Sequence, residues 1–346
     1  MYEAYYGLRK NPFALTPDPE FLFMTDTHRD AIAGLTYSIL GRKGFCVLTG
    51  DAGTGKTTLL RSVMASIPAT QAQFSVILNP AVTTSEFMEM MLADFGIKEI
   101  LPSKAQRLAR LQQFLLDCYR EGKVAVLVVD EAHRLSVDLL EEIRLLANFE
   151  TDQEKLLQIV LAGQDELGEM LDRIDLRQLK QRIAVRFAIQ PLSSAAVGAY
   201  MRHRWEKTSE RVLPFTPDAI LQISHFSSGI PRVVNAVCDN ALLLGFAEET
   251  KWIQKDHIAE VAADLHLAPA RSSHPTITQR SAVASQAGLN GAAEPRNGVK
   301  ADAERQMQLR IPRPVETAYE EGPLPTPDRY LSAKHWRTRL GTMFGA

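Results

Sequence analysis

The chain has 346 residues, of which 45% are hydrophobic and 23% are charged, enough for about two domains with ordinary hydrophobic cores. A wholly disordered or collagen-like protein is therefore excluded. The 39 lysines and arginines nearly balance the 41 aspartates and glutamates, so the formal net charge of −2 provides no global field to attract nucleic acid or an anionic membrane. Any such partner would have to meet a local basic patch.

Neither a membrane span nor an export signal is indicated by the sequence pattern. The uncharged apolar run at residues 124–129 is far shorter than the ~20 residues that cross a bilayer, and residues 1–4 do not begin a signal peptide. Cys46, Cys118 and Cys238 are odd in number and lack C-x-x-C spacing. We therefore expect a soluble, unexported chain with buried thiols in a reducing cytoplasm, without disulfides or a zinc site.

Apolar, strand-like runs alternate with helix-length segments such as residues 103–121. The runs are residues 44–49, 74–78, 124–129 and 157–162. Nearly continuous apolar strands separated by helices are typical of a parallel sheet covered on both faces. The pattern predicts a doubly wound α/β domain.

A wholly helical pattern follows from about Ser193. Helices are predicted over residues 195–208, 216–224 and 231–246, the second opened by Thr216-Pro217-Asp218. We expect a small helical lid domain over residues 193–267 that follows an α/β domain over residues 41–192.

Beyond the lid, the composition changes. Residues 268–329 are rich in proline and poor in apolar side chains, which predicts a disordered linker. Residues 330–346 regain aromatic and basic side chains, and they are either a short interaction helix or a frayed tail.

A glycine-rich stretch lies between a predicted strand and a predicted helix and matches G-x-x-x-x-G-K-[ST]. Glycines allow successive backbone N–H groups to surround a phosphate at the positive end of a helix, where side chains would clash. The alternative is a chance glycine-rich turn. The predicted nucleotide-binding residues are Gly50, Asp51, Ala52, Gly53, Thr54, Gly55, Lys56, Thr57 and Thr58.

The side chains at the end of this stretch have separate predicted roles. Lys56 is expected to place its ammonium between the β- and γ-phosphates, and the Thr57 hydroxyl to supply one oxygen ligand to Mg²⁺. Thr58 is expected to contribute packing or a contact with the α-phosphate.

Two carboxylates follow the apolar strand at residues 124–129. Asp130 is expected to hold the magnesium through water, and Glu131 to orient or deprotonate the attacking water. The alternative is that both acids cap the next helix, which explains one carboxylate but not the pair. The arrangement predicts hydrolysis of the nucleotide.

With these residues in place, the sequence resembles AAA+ ATPases of the ExeA type, the general secretion pathway protein A family. The resemblance covers about residues 1–265, and its motifs are Met1–Leu8, Asn11–Phe13, Pro17–Phe23 with His28, Gly50–Thr58, Asp130–His133, Leu161–Gln164, Leu176–Ile183 and Gly229–Arg232. It implies that the nucleotide is ATP and that residues 1–40 form a segment packed on the ATPase core.

The resemblance also implies roles that spacing alone would not assign. Gln164 matches the sensor of the γ-phosphate or its attacking water, and Arg232 matches the second sensor, which reports the γ-phosphate to the lid. Arg182 matches an arginine finger that reaches a neighbouring subunit, with Arg177 as the substitute. The alternatives are an ordinary strand-end amide for Gln164 and surface ion pairs for the arginines.

Aromatic and histidine residues near these motifs have less specific interpretations. Phe21, Phe23 and His28 either wall the adenine or belong to the core. His133 either relays the nucleotide state or is a structural hydrogen-bonding group, and we do not interpret it as catalytic.

Three functions are compatible with these features. The first is a homo-oligomeric ATPase that switches or assembles an envelope-associated system of the secretion, surface polysaccharide or pilus type. It would act in the cytoplasm or peripherally at the inner membrane through a protein partner, since we find neither the membrane span nor the peptidoglycan-binding module of full-length ExeA-like proteins. The alternatives are a DNA-binding ATPase of the transposition-regulator type and a nucleotide-binding scaffold with negligible hydrolysis.

Overall fold

The computed structural model describes residues 2–16, 18–99 and 101–268. The predicted linker beyond Ala268 and the predicted interaction segment at residues 330–346 lie outside these residues. Within the described ranges, no helix has both the length and the apolar character that crossing a membrane requires.

A five-stranded parallel sheet forms the centre of the first part of the chain. Its strands are β1 (Phe45–Gly50), β2 (Ala72–Ile77), β3 (Val124–Val129), β4 (Leu157–Ala162) and β5 (Ile183–Ile189), in the spatial order β2-β3-β4-β1-β5. The sheet is parallel at every pairing, which confirms the predicted doubly wound α/β fold.

Helices cover the sheet and form the lid. They are α1 (Glu3–Tyr6), α2 (Asp26–Leu40), α3 (Lys56–Ser66), α4 (Thr84–Asp94), α5 (Lys104–Arg120), α6 (Val137–Leu146), α7 (Asp165–Leu171), α8 (Arg177–Lys180), α9 (Ser194–Glu206), α10 (Pro217–Ser227), α11 (Pro231–Ala247) and α12 (Lys255–Asp264). Local sequence signals define where several of these helices begin. The Ser103 side chain accepts a hydrogen bond from the Gln106 backbone in a reciprocal capping box at the start of α5, and Pro217 and Pro231 stand in the first turns of α10 and α11.

Alternate residues of each central strand enter different hydrophobic clusters. On β3, Ala125, Leu127 and Val129 pack beneath helices α4 to α8, whereas Val124, Val126 and Val128 pack beneath α2 and α3. A strand that is buried on both faces is an apolar run, which is why β1, β3 and β4 are recognisable in the sequence.

Strand β5 escapes prediction because only one of its faces is covered. Its sequence, Ile-Ala-Val-Arg-Phe-Ala-Ile, alternates between partly buried side chains and the exposed Ala184, Arg186 and Ala188. It pairs with β1 on one side only and forms an edge of the sheet. Because an edge strand with one uncovered face does not need apolar side chains on that face, the sequence of β5 lacks the continuous apolar run of β1, β3 and β4.

The N-terminal residues pack with the lid. Tyr2, Tyr6 and Phe13 share a hydrophobic cluster with Trp205 and other lid side chains, whereas α2 packs against the sheet. The Asn11 amide also donates to the Asp239 carboxylate of α11 at 2.8 Å. Within the predicted segment 1–40, the aromatic side chains therefore complete a lid core that helices α9 to α12 leave open, whereas α2 belongs to the sheet side.

We expect Phe13→Ala to destabilise this combined unit. The Phe13 ring is fully buried and packs edge-to-face on Phe215, with centroids 6.2 Å apart. Truncation of a buried phenylalanine costs about 3–5 kcal/mol of unfolding free energy, which urea denaturation measures. Leu15→Ala is the matched control because Leu15 is 54% exposed, and we expect a loss of about 0.5 kcal/mol or less. Equal losses in the two variants would contradict the proposed packing.

Candidate active site

The turn between β1 and α3 encloses a concave site. Gly50 has φ +149°, and a Cβ at this position would lie 2.4 Å from the Ile189 carbonyl oxygen of β5. Gly53 has φ +84°, and a Cβ there would lie 2.7 Å from the Arg232 Cβ. Only glycine satisfies both the backbone conformation and the close approach of the neighbouring chain, so the loop stays open to a ligand.

Lys56 is buried, with only 5% of the residue exposed, and its side chain turns back into the loop. Its ammonium donates to the carbonyl oxygens of Gly50 at 2.7 Å and Asp51 at 2.9 Å. Burial lowers the pKa of Lys56, while the charges of Glu131 and Asp130 oppose that shift. The structure thus holds a cation at the mouth of the loop, in position to exchange carbonyl partners for an anion.

Oxygen ligands suited to magnesium lie beside this cation. The Thr57 hydroxyl donates to Asp130 Oδ2 at 2.6 Å, and the other Asp130 oxygen accepts from the Glu131 backbone N–H at 2.9 Å. Asp130 is 4% exposed at the carboxyl end of β3. A hydroxyl next to a buried carboxylate is an oxygen donor set of the kind that Mg²⁺ prefers, so Thr57 and Asp130 fit the predicted ion.

Glu131 has an unusual backbone conformation. Its φ of +53° places a non-glycine residue in the left-handed region, which costs on the order of 1–3 kcal/mol and is concentrated at functional sites. The Glu131 carboxylate is 40% exposed and is turned toward the site, where it lies 3.4 Å from His133 Nδ1. The carboxylate is therefore accessible to water and has an imidazole beside it.

His133 connects this carboxylate with the next strand end. The Gln164 backbone N–H donates to His133 Nδ1 at 3.3 Å, and the two side chains meet at 3.4 Å through Gln164 Nε2 and His133 Nε2. Gly163 permits the approach, since a Cβ there would lie 3.0 Å from the His133 backbone nitrogen. The sequence left open whether His133 relays the nucleotide state or is structural, because its contact with Gln164 spans 31 residues and has no local signature.

The lid contributes Arg232 from the first turn of α11. Its backbone N–H donates to the Gly53 carbonyl at 3.3 Å, and its side chain packs over Gly53. The Arg232 guanidinium is exposed to the site and makes no hydrogen bond or ion pair with the part of the chain that the structure describes. A free cation above a phosphate-binding loop is available for a polyphosphate.

One cavity of about 470 Å³ collects most of the predicted residues. Its lining includes the following predicted residues: Ala52, Gly53, Thr54, Gly55, Lys56, Thr57, Thr58, Glu131, Gln164 and Arg232, together with Phe21, Phe23 and His28. Gly50 and Asp51 stand behind the lining and contribute carbonyls to Lys56, and Asp130 contacts Thr57.

His28 belongs to this cavity through its contact with the loop. The residue is 5% exposed, its Nδ1 lies 2.6 Å from Thr25 Oγ1, and its Nε2 faces Gly55. Burial lowers the pKa of His28, so the imidazole beside the loop stays neutral at pH 7.

The two candidate finger arginines lie outside the cavity. Arg182 immediately precedes β5, whereas the loop that begins at Gly50 is at the opposite ends of the strands. Its Nη1 donates to the Arg144 carbonyl at 3.0 Å. Arg177 begins α8 and is exposed, and its guanidinium has no hydrogen-bond or ion-pair partner among the described residues.

Comparisons with known proteins agree with this geometry. Residues 39–171 match a family model described as an AAA domain. The chain is 39% identical over 266 residues to general secretion pathway protein A of Aeromonas hydrophila, an alignment that covers 77% of this chain and 48% of that protein. The sequence resemblance is thereby confirmed, although the chain spans only about half the length of the curated relative it matches.

Solved structures share the fold. Cdc6p from Pyrobaculum aerophilum matches with a TM-score of 0.58 and 15% identity, covering 74% of this chain and 71% of that one. The ORC2 protein of Aeropyrum pernix, in ADPNP and ADP complexes, matches with a TM-score of 0.55 and 15% identity, covering 74% and 72%. At this identity the likeness concerns the fold alone.

We expect Gly53→Ala to loosen the lid from the loop. An alanine at φ +84° is strained by about 1–2 kcal/mol, and its Cβ would push against Arg232. Hydrogen exchange at the Arg232 amide, which bonds Gly53, should accelerate. Gly96→Ala is the matched control, because Gly96 has φ +88° and nothing lies within 4 Å of the added Cβ. If Arg232 exchanges at the wild-type rate in Gly53→Ala, the loop does not hold the lid through this contact.

Proposed function

Since this chain has the AAA+ fold, carries an AAA domain and is related to general secretion pathway protein A, we propose that it is a magnesium-dependent ATPase whose hydrolysis cycle moves the helical lid. The observation that carries the proposal is the contact between Thr57 and Asp130 beside Glu131. It joins the phosphate-binding loop to an acidic pair at the end of a buried parallel strand, where open α/β sheets bind their ligands.

Binding of the triphosphate is assigned to the loop and to two cations. Backbone N–H groups of the loop would donate to the phosphates, and Lys56 would transfer its hydrogen bonds from the loop carbonyls to phosphate oxygens. Thr57 and Asp130 would hold the magnesium ion. When bound, the ion neutralises charge on the β- and γ-phosphate oxygens. Arg232 contacts the outer phosphate from the lid.

Hydrolysis is assigned to Glu131, which accepts a proton from the attacking water. His133 lies beside this carboxylate and also contacts Gln164 at the next strand end. Gln164 engages the water or the γ-phosphate. Loss of the γ-phosphate removes the partner of Arg232, and the lid is then free to leave Gly53.

The wider role is proposed from the relative. We propose that the chain forms a homo-oligomer and switches or assembles an envelope-associated system through a protein partner on the cytoplasmic side, as expected for a relative of a general secretion pathway protein. The DNA-binding alternative stays a prediction. A DNA affinity that falls steeply with salt would favour it over a protein partner.

Lys56→Ala should abolish ATP binding, because no other side chain in the described ranges supplies a buried cation inside the loop. Glu131→Gln should bind ATP like the wild type and lose at least ~10²-fold in turnover, since an amide cannot accept the proton. Calorimetry with Mg·ATP and phosphate release measure the two effects.

Lys98→Ala, at an exposed lysine far from the loop in sequence, is the control and should retain both properties. Wild-type protein without ATP affinity would contradict the proposed function. Full turnover by Glu131→Gln would contradict only the role of that carboxylate.

We assign to Arg177 the role of an arginine finger that completes the ATP site of a neighbouring protomer. Its guanidinium is free among the described residues, whereas Arg182 is occupied by the Arg144 carbonyl. Ile174, three residues earlier, is 89% exposed and offers an apolar contact to another protomer. A planar cation from the neighbour would stabilise the charge of the transferring phosphoryl group.

We expect Arg177→Ala to bind ATP normally and to lose turnover. Mixing it with Lys56→Ala should restore activity, because the first variant keeps an intact ATP site and the second keeps an intact arginine. Phosphate release measured against total protein concentration detects the rescue. Arg182→Ala should behave like the wild type in turnover. Rescue by mixing with Arg182→Ala instead would identify Arg182 as the finger.

A further inference from the structure

Part of the cavity wall is built around a buried arginine of the lid. Arg204 on α9 is 7% exposed, and its guanidinium donates to the backbone carbonyls of Pro12 and Ala14 in the N-terminal segment. The same guanidinium lies 4.5 Å from the centre of the Phe21 ring. Arg204 therefore ties the N-terminal segment to the lid and holds an aromatic side chain in the cavity lining.

Arg204 also begins a chain of hydrogen bonds, called the relay below, in which the donor and acceptor of each bond are fixed by chemistry. Its Nη1 donates to the Tyr200 hydroxyl at 3.0 Å, and that hydroxyl lies 2.8 Å from Asn235 Oδ1. A guanidinium has donors only, so the Tyr200 oxygen must accept from Arg204 and give its own proton to Asn235. Burial raises the pKa of Tyr200, which keeps that proton on the phenol.

The relay leaves one polar group of Asn235 unused. With Oδ1 occupied by Tyr200, the amide nitrogen keeps both of its protons for other partners. Asn235 is 6% exposed and lines the cavity, and its Nδ2 has no partner within residues 2–16, 18–99 and 101–268. This nitrogen is not completely enclosed by protein atoms. A donor on a nearly buried side chain that lines the cavity can therefore be satisfied by a molecule bound there.

Asn235 lies one helical turn beyond Arg232 on the same face of α11. If Arg232 meets the outer phosphates, Asn235 lies about 4.5 Å farther along the helix axis, past the polyphosphate. Phe21 and Phe23 belong to the same lining and make this part of the cavity partly apolar.

We propose that Asn235 reads the base of the bound nucleotide by donating from Nδ2 to a ring nitrogen of a purine. The proposal rests on the proposed function and adds a specificity-determining residue to it. Tyr200 and Arg204 are positioning residues: they orient the amide so that its donor side faces the ligand. If the base carries a C–H group in place of that ring nitrogen, the Nδ2 donor of Asn235 is left without a partner.

The test is a set of deaza analogues of ATP, in which one ring nitrogen at a time is replaced by C–H. Wild-type protein should bind one of the 1-, 3- and 7-deaza analogues about 10-fold more weakly than ATP, since a nearly buried donor loses its partner. Asn235→Asp keeps an oxygen for Tyr200 and replaces the donor by an acceptor, so this penalty should disappear. Tyr200→Phe releases the amide and should reduce the penalty.

Inorganic tripolyphosphate separates effects on the base from effects on the phosphates. Tyr200→Phe should bind it like the wild type, and for Asn235→Asp the change in its affinity measures the repulsion caused by the new charge. A penalty that persists in Asn235→Asp, or three analogues that bind wild-type protein as tightly as ATP, would overturn the proposal. Wild-type protein that binds neither ATP nor tripolyphosphate would instead contradict the proposed function itself.

Discussion

The hydrogen bond between the Thr57 hydroxyl and the Asp130 carboxylate is the contact on which the rest of the site depends. Thr57 follows β1 and Asp130 follows β3, and these strands are not neighbours, because β4 lies between them. All three strands are parallel, so their carboxyl ends meet at one edge of the sheet. This edge brings together a phosphate-binding loop, a pair of adjacent carboxylates and the Gln164 amide, three features that are far apart in sequence.

The second constraint is that the cavity is shared by two hydrophobic units. The sheet and its helices supply the loop and the acidic pair, while the lid and residues 2–13 form a separate cluster that supplies Arg232 and Asn235. The backbone contact between Arg232 and the Gly53 carbonyl joins the two units at the loop. A ligand that fills the cavity touches both units, and that shared contact is the physical basis for coupling occupancy of the site to lid position.

Several features were predictable because their signal is local. The stretch at residues 50–57 carries its own strand, turn and helix, and a carboxylate pair after a continuous apolar run identifies the end of a buried strand. Edge strand β5 was missed because exposure on one face breaks the apolar run, and α12 was missed as well. The role of His133 stayed open between a relay and a structural group, because its contact with Gln164 spans 31 residues.

The amino-acid sequence by itself determined the phosphate loop, the acidic pair and the α/β class, since each depends on residues within a few positions of one another and on burial of both sheet faces. Tertiary structure alone decided that the N-terminal aromatic residues complete the lid core and that Arg204, Tyr200 and Asn235 align in one relay. The reason is geometric. Hydrogen bonds from Arg204 to Pro12 and Ala14 span about 190 residues, and such contacts exist only after packing has brought the segments together.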